Sequence, residues 1–271
     1  MRRAAHQVLD RPPVFEDPLA VRILGPDAGA LPAEAPGLRA FLAVRSRYAE
    51  DELANAVARG VRQYVVLGAG LDTFAFRNPH AGLRVFEVDH PATQEWKRDL
   101  LRAADIRISE RAVFVPVDFE RQSFESELIA AGFHGAEPAF FSWLGVTPYL
   151  TDDAFTRTIS GIGGMPRDTG VVFDYAIARS ALPPAEQAAL DSLSARVARA
   201  GEPFRLFFDP RELQLRLLSM GFTSMEDLGA DALNARYFRE RADGLKLRSA
   251  AGRLVRASID PSAPLLQFED A

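Results

Sequence analysis

A chain of 271 residues with 48% hydrophobic content can bury one substantial core, which excludes a disordered or fibrous protein. Its 37 acids against 32 Lys and Arg give a net charge of -5 with the signs intermixed, so no basic stripe is available for nucleic acid and a small-molecule partner is indicated. With no cysteine, disulfides and thiolate chemistry are excluded, and His6, His80, His90 and His134 lack metal-ligand spacing, so no metal is expected.

Met1 to Val8 is basic but no apolar h-region follows, and no apolar run approaches membrane-spanning length, so a cytosolic protein without a membrane partner is expected. Prolines at 12, 13, 18, 26, 32 and 36 restrict residues 1–37 to short helices, such as Asp17 to Leu24 with Gly25 as a stop, in a wrapping segment or lid. From Leu38 to Arg59, Phe41, Val44, Tyr48, Leu53, Ala56 and Val57 recur at helical spacing, and Gly60 closes the run.

Strands are then predicted at Tyr64 to Leu67, Arg84 to Val88, Val113 to Val117, Ala139 to Trp143 and Gly170 to Phe173. Helical stretches separate them at Pro91 to Ala103, Phe124 to Ala131 and Asp152 to Gly161. Runs such as Val65-Val66-Leu67 and Val171-Val172-Phe173 are apolar throughout, as strands covered on both faces require. Beyond them lie a helix from Pro184 to Ala200, the aromatics Phe204, Phe207 and Phe208, and a helix opened by Asp209-Pro210 and stopped by Gly221. Phe222 to Leu228 and Leu254 to Ile259 supply two last strands, with Leu233 to Arg239 between them as a short helix or loop. The expected fold is a doubly wound α/β domain over residues 1–271, built on a mostly parallel seven-stranded sheet. Within it, 1–60 form the lid and its helix, 61–180 a cofactor-binding core, 181–220 a substrate-side helical insertion and 221–271 the C-terminal strands and cap.

The chemistry concentrates at three strand ends. Gly68-Ala69-Gly70 closes the first strand, where side chains at Gly68 and Gly70 would block a cofactor or forbid the turn, although a tight turn alone also calls for glycine. Asp72 is placed to cap a short helix from Thr73, and the third glycine of a dinucleotide fingerprint is missing, so a nucleoside cofactor without pyrophosphate fits better. Asp89, nineteen positions after Gly70, is expected to accept from vicinal ribose hydroxyls, or to cap the helix ahead of Pro91. Glu87 shares its strand face and is expected to buttress the loop. Asp118 is placed to accept from an exocyclic adenine amine while Phe119 packs on the base, with core packing as the alternative for Phe119.

Val66-Leu67-Gly68-Ala69-Gly70-Leu71-Asp72-Thr73, Phe86-Glu87-Val88-Asp89-His90-Pro91 and Val115-Pro116-Val117-Asp118 resemble the leucine carboxyl methyltransferase family, closest to its bacterial polyketide-associated O-methyltransferase branch. The resemblance runs from about Arg45 through Leu233 and implies S-adenosylmethionine as cofactor. It implies that Arg45 clamps the cofactor carboxylate and orients the substrate, with Arg47 as the fallback; two apart on a helix, the two cannot both face one site without a bend. The cofactor set it implies is Arg45, Gly68, Ala69, Gly70, Asp89, His90, Asp118, Phe119 and Trp143. Tyr149 matches the family's tyrosine after the fourth strand and joins Arg45 as a catalytic candidate, while Leu144 stands where the family has a glutamate.

The acceptor implied is a small carboxylated metabolite, whose oxygen is already ionised and needs positioning rather than a base. A phenolic, polyketide-like acceptor is the alternative, for which a base such as His90 would be useful. Arg47, Tyr149, Tyr175, Phe204 and Phe207 are the substrate-binding candidates, with Trp143 and Phe208 as further walls or core. Arg236 and Arg241 are expected in salt links. An NAD-linked oxidoreductase and a non-catalytic cofactor-binding protein are the remaining readings, and oligomeric state is not legible.

Overall fold

The computed structural model describes residues 1–25, 31, 33–118, 122–199, 201 and 203–260. Among the described residues, the helices α1 (Arg2–Leu9), α2 (Pro18–Arg22) and α3 (Pro36–Ala58) precede the sheet. Asp17 caps α2 by accepting from Ala20 N, and Pro18 at the first turn removes a donor that would have no partner. On α3, Ala40, Val44, Tyr48, Ala49, Leu53 and Ala56 form one buried stripe and dock the helix on the sheet.

The sheet then alternates with helices: β1 (Gln63–Leu67), α4 (Phe74–Arg77), β2 (Arg84–Asp89), α5 (Pro91–Ala103), β3 (Ala112–Pro116), α6 (Phe124–Ala130), β4 (Ala139–Trp143), α7 (Asp152–Gly163) and β5 (Gly170–Ala176). The expected helical insertion follows as α8 (Pro184–Arg199) and α9 (Pro210–Ser219), then β6 (Ser224–Leu228), α10 (Ala230–Tyr237) and β7 (Gly252–Ser258). The order β3-β2-β1-β4-β5-β7-β6 is parallel except at β7, which runs antiparallel to both neighbours. The chain therefore reverses its winding direction between β1 and β4, the place where such sheets leave a crevice at the strand carboxyl ends. Among the described residues no helix is long and apolar enough to cross a membrane.

Strand alternation explains the unbroken apolar runs. Val65 and Leu67 join Phe141, Trp143 and Phe173 on one face, whereas Tyr64 and Val66 join Phe140, Val172 and the α3 stripe on the other. β5 runs three residues past its expected end at Phe173, because β7 pairs along it to Ala176↔Gly252 and the side chain of Asp174 is hydrogen-bonded rather than stranded.

Gly163, the last residue of α7, lies against the Met220 carbonyl at the end of α9, so any Cβ there would overlap backbone. Gly163→Ala is expected to cost about 1–3 kcal/mol of stability through overpacking. Urea unfolding measures this, and an unchanged midpoint would show that the two helix ends separate freely.

Candidate active site

The glycine loop and the end of β2 are locked together. Gly68 N and Ala69 N donate to Val88 O at 2.8 and 3.2 Å, and Gly70 N donates to Asp89 Oδ2 at 2.5 Å. Gly68 and Gly70 have φ of +64° and +45°; a Cβ at Gly68 would overlap the Val146 side chain, whereas one at Gly70 would meet nothing within 4 Å, so the backbone at Gly70 lies open to a ligand. Asp89 Oδ1 accepts from His90 N at 2.7 Å, while the His90 ring caps α5 by accepting from Ala92 N at 3.2 Å. The cap ahead of Pro91 is thus His90, not Asp89, and the Asp89 carboxylate retains acceptor capacity toward a ligand.

A cavity of about 480 Å³ opens over this loop, walled by Gly68 to Asp72, Ser142, Leu144, Arg45 and the start of α1. The N-terminal segment is anchored by Arg3, which donates to Leu71 O and Asp72 Oδ2 at 2.7 Å each and pairs with Asp17 at 3.0 Å. Burial opposes charge on Asp72, but Arg3, Arg77 and Lys97 outweigh it and hold the carboxyl at about 2. Asp72 Oδ1 takes the Phe74 N–H, so an acid already occupies the amino end of α4, a four-residue helix. Thr73, in place of a third glycine, is buried and donates to Asp17 at 2.6 Å. Asp72 and Thr73 thus fill the turn before α4, where a dinucleotide's pyrophosphate would lie.

A second opening, about 640 Å³, continues across the strand ends and brings together Gly68, Asp89, His90, Asp118, Gly145 and Tyr149. Phe119 lies outside the described residues. A third cavity of about 350 Å³ is mostly apolar, walled by Leu38, Phe41, Leu42, Leu190, Leu193 and Phe204, with Tyr149 and Tyr175 in its lining. Arg45 and Leu42 line both this pocket and the cavity over the glycine loop, so Arg45 marks their junction.

Arg45 Nη1 pairs with Asp174 Oδ2 at 2.8 Å, and Asp174 Oδ1 accepts from Gly145 N at 2.5 Å. Gly145, at φ +74°, holds this geometry because a Cβ would come within 2.7 Å of the Arg45 guanidinium. Tyr149 packs on Phe204 with ring centroids 5.3 Å apart. Tyr175 donates its hydroxyl to Asp227 at 2.8 Å, and burial first, then Asp227, raises its pKa well above the ordinary phenol range.

Several expected residues fall elsewhere. Arg47 is half exposed and pairs with Asp51 at 2.8 Å one turn along α3, away from the Arg45 junction. Trp143 is buried on the opposite face of the sheet from Ser142 and Leu144, stacked on Phe155 at 5.7 Å, so it does not wall the cavity over the glycine loop. Phe207 packs beside Ile177 and edge-on to Phe204 behind the pocket, and Phe208 is core. Glu87 does not buttress the glycine loop: it pairs with Lys97 of α5 at 2.6 Å, both fully buried. Arg236 pairs with Glu52 and Glu226 at 3.4 and 3.6 Å, and Arg241 with Asp243 at 2.6 Å, as salt links. Sequence reading passed over Arg3, Gly145 and Asp174; an acid inside the apolar run Val171-Val172-Phe173-Asp174-Tyr175 was the one local signal for the last.

A family model for leucine carboxyl methyltransferase matches residues 1–163. The Bacillus subtilis (strain 168) protein YktD, provisionally named an S-adenosyl-L-methionine-dependent methyltransferase, is 37% identical over 204 residues, which are 74% of this chain and 67% of that one. A Parafrankia (strain EAN1pec) protein with the same provisional name is 39% identical over 147 residues, 53% of this chain and 46% of that one, so the match spans about half of that relative. A solved structure from Thermobifida fusca YX superposes with a TM-score of 0.57 at 17% identity, covering 92% of this chain and 99% of that one, a likeness of fold.

Proposed function

The chain belongs to the leucine carboxyl methyltransferase family, and on that footing we propose that it transfers a methyl group from S-adenosylmethionine to an oxygen of a small, largely apolar acceptor. The observation that carries this reading is the junction at Arg45, where the cavity of about 480 Å³ over the glycine loop meets a separate apolar pocket. When bound, S-adenosylmethionine supplies an electrophilic methyl group on a sulfonium. The residues fit that cofactor: Asp89 would take the ribose hydroxyls, Asp118 the base, and the open backbone at Gly70 with Arg45 the amino-acid tail.

A phenolic or other hydroxyl oxygen fits this pocket better than the carboxylate that the family resemblance implies. The charge of Arg45 is matched by Asp174, and the other cations of the lining, Arg196 and Arg248, are exposed, so the described lining offers an acceptor carboxylate no buried, unmatched cation. The aromatic and aliphatic walls support the polyketide-associated branch of the family. The turn before α4, filled by Asp72 and Thr73, suits a nucleoside cofactor better than a dinucleotide.

Calorimetric titration with S-adenosylhomocysteine, the demethylated product, is expected to give saturable one-site binding. No heat or protection at millimolar ligand would overturn the proposal.

A further inference from the structure

Asp174 is the one acid among the described residues lining the apolar pocket. It also stands at the boundary with the cofactor cleft, because both groups that hold it belong to two cavities. Arg45, on Oδ2, lines the cavity over the glycine loop, and Gly145, on Oδ1, lines the opening along the strand ends. An ionised carboxylate offers about four lone-pair sites, and these two protein donors engage one on each oxygen. Among the other polar side chains of the described lining, Tyr175 donates to Asp227, Ser249 donates to Glu186, Tyr149 is a phenol packed on Phe204, and Arg45, Arg196 and Arg248 have no acceptor atom; the His90 ring caps α5 beyond the pocket.

We propose that Asp174 is a catalytic residue that accepts the hydroxyl proton of the methyl acceptor, which makes that acceptor a phenol or alcohol rather than a carboxylic acid. This rests on the methyl-transfer reading above. As the acceptor oxygen takes the methyl carbon, the electron pair of the broken S–C bond stays on sulfur, and the O–H proton passes to Asp174 and then to water. The sulfonium loses its charge and the products are an ether and a thioether. Arg45 and Gly145 hold the carboxylate in place and so select the acceptor that carries a proton to give.

The test compares the full chain with Asp174→Asn, which keeps shape and removes the proton acceptor. The probes are para-ethylphenol, para-nitrophenol and para-toluate, assayed with labelled S-adenosylmethionine at about pH 9, where only the first retains its proton. The variant is expected to lose on the order of 100-fold or more in turnover of para-ethylphenol but less than about 10-fold with para-nitrophenol, since an acceptor already ionised needs no base. In the S-adenosylhomocysteine complex, bound para-nitrophenol should titrate at higher pH in the wild type than in the variant, because its phenolate faces the Asp174 charge.

Equal losses with both phenols, or an unmoved titration of the bound phenol, would overturn the assignment. Should the variant fold poorly, Asp174→Glu, which keeps a carboxylate, is expected to lose no more turnover with para-ethylphenol than with para-nitrophenol; a selective loss with para-ethylphenol there would also count against Asp174. Wild-type transfer to para-toluate alone, or to none of the probes, overturns Asp174 as the proton acceptor. Loss of S-adenosylhomocysteine binding by the wild type instead overturns the methyl-transfer reading itself.

Discussion

Replacing Lys97 by methionine is expected to lower the unfolding free energy by about 3–5 kcal/mol at pH 8, with a smaller loss near pH 6. Lys97 Nζ lies 2.6 Å from Glu87 Oε2, both side chains are 1% exposed, and Glu87 Oε1 has no hydrogen-bond partner among the described residues. Burial raises the Glu87 pKa from 4.5 to about 7, against the opposing pull of Lys97. A raised acid binds more protons in the folded than in the unfolded state, so its contribution to stability is complete below the unfolded value and declines as pH rises through the folded one. Without Lys97 the folded value climbs further and the decline continues above neutrality, which is why the deficit grows with pH. Urea unfolding at the two pH values checks this. The double variant Glu87→Leu/Lys97→Met should recover most of the loss, since an apolar pair needs no charge compensation. Equal destabilisation at both pH values would mean that packing of the lysine stem, not its charge, is what matters.

Asp89→Ala is expected to weaken S-adenosylhomocysteine binding by about 3 kcal/mol, on the order of 100-fold, because hydrogen bonds to a charged acceptor are worth about 1.5–3 kcal/mol each. The carboxylate also anchors the loop through Gly70 N, so part of the loss is loop order rather than direct contact. Asp89→Asn separates the two: its amide oxygen can still receive Gly70 N while the charge is gone. Calorimetry with all three proteins measures the split. Unchanged affinity in the alanine variant would remove Asp89 from the site.

Much of the sheet was legible because its determinants are local. A strand covered on both faces must be apolar at every position, and Tyr64-Val65-Val66-Leu67 satisfies that requirement before any partner is known. Helix ends are equally local, as with Asp209 accepting from Arg211 N and Glu212 N ahead of Pro210, or Asp17 ahead of Pro18. The incompatibility of Arg45 and Arg47 followed from helix geometry alone. Which of the two meets the cavities depended on where α3 lies, and packing placed Arg45 there. Trp143 shows the same division: alternation sets it opposite Ser142 and Leu144, but only the packed sheet reveals which face carries the cleft.

Residue types and spacing by themselves determined the alternating α/β order, the two glycines closing β1 and the acid closing β2, since each answers to constraints within a few residues. Only the tertiary structure decided that Asp174 joins Arg45 across 129 positions, that β7 prolongs β5, and that Lys97 rather than the glycine loop receives Glu87. Those contacts are made by side chains far apart along the chain. The burial and charge that give them their chemistry come into being only when the layers close over them.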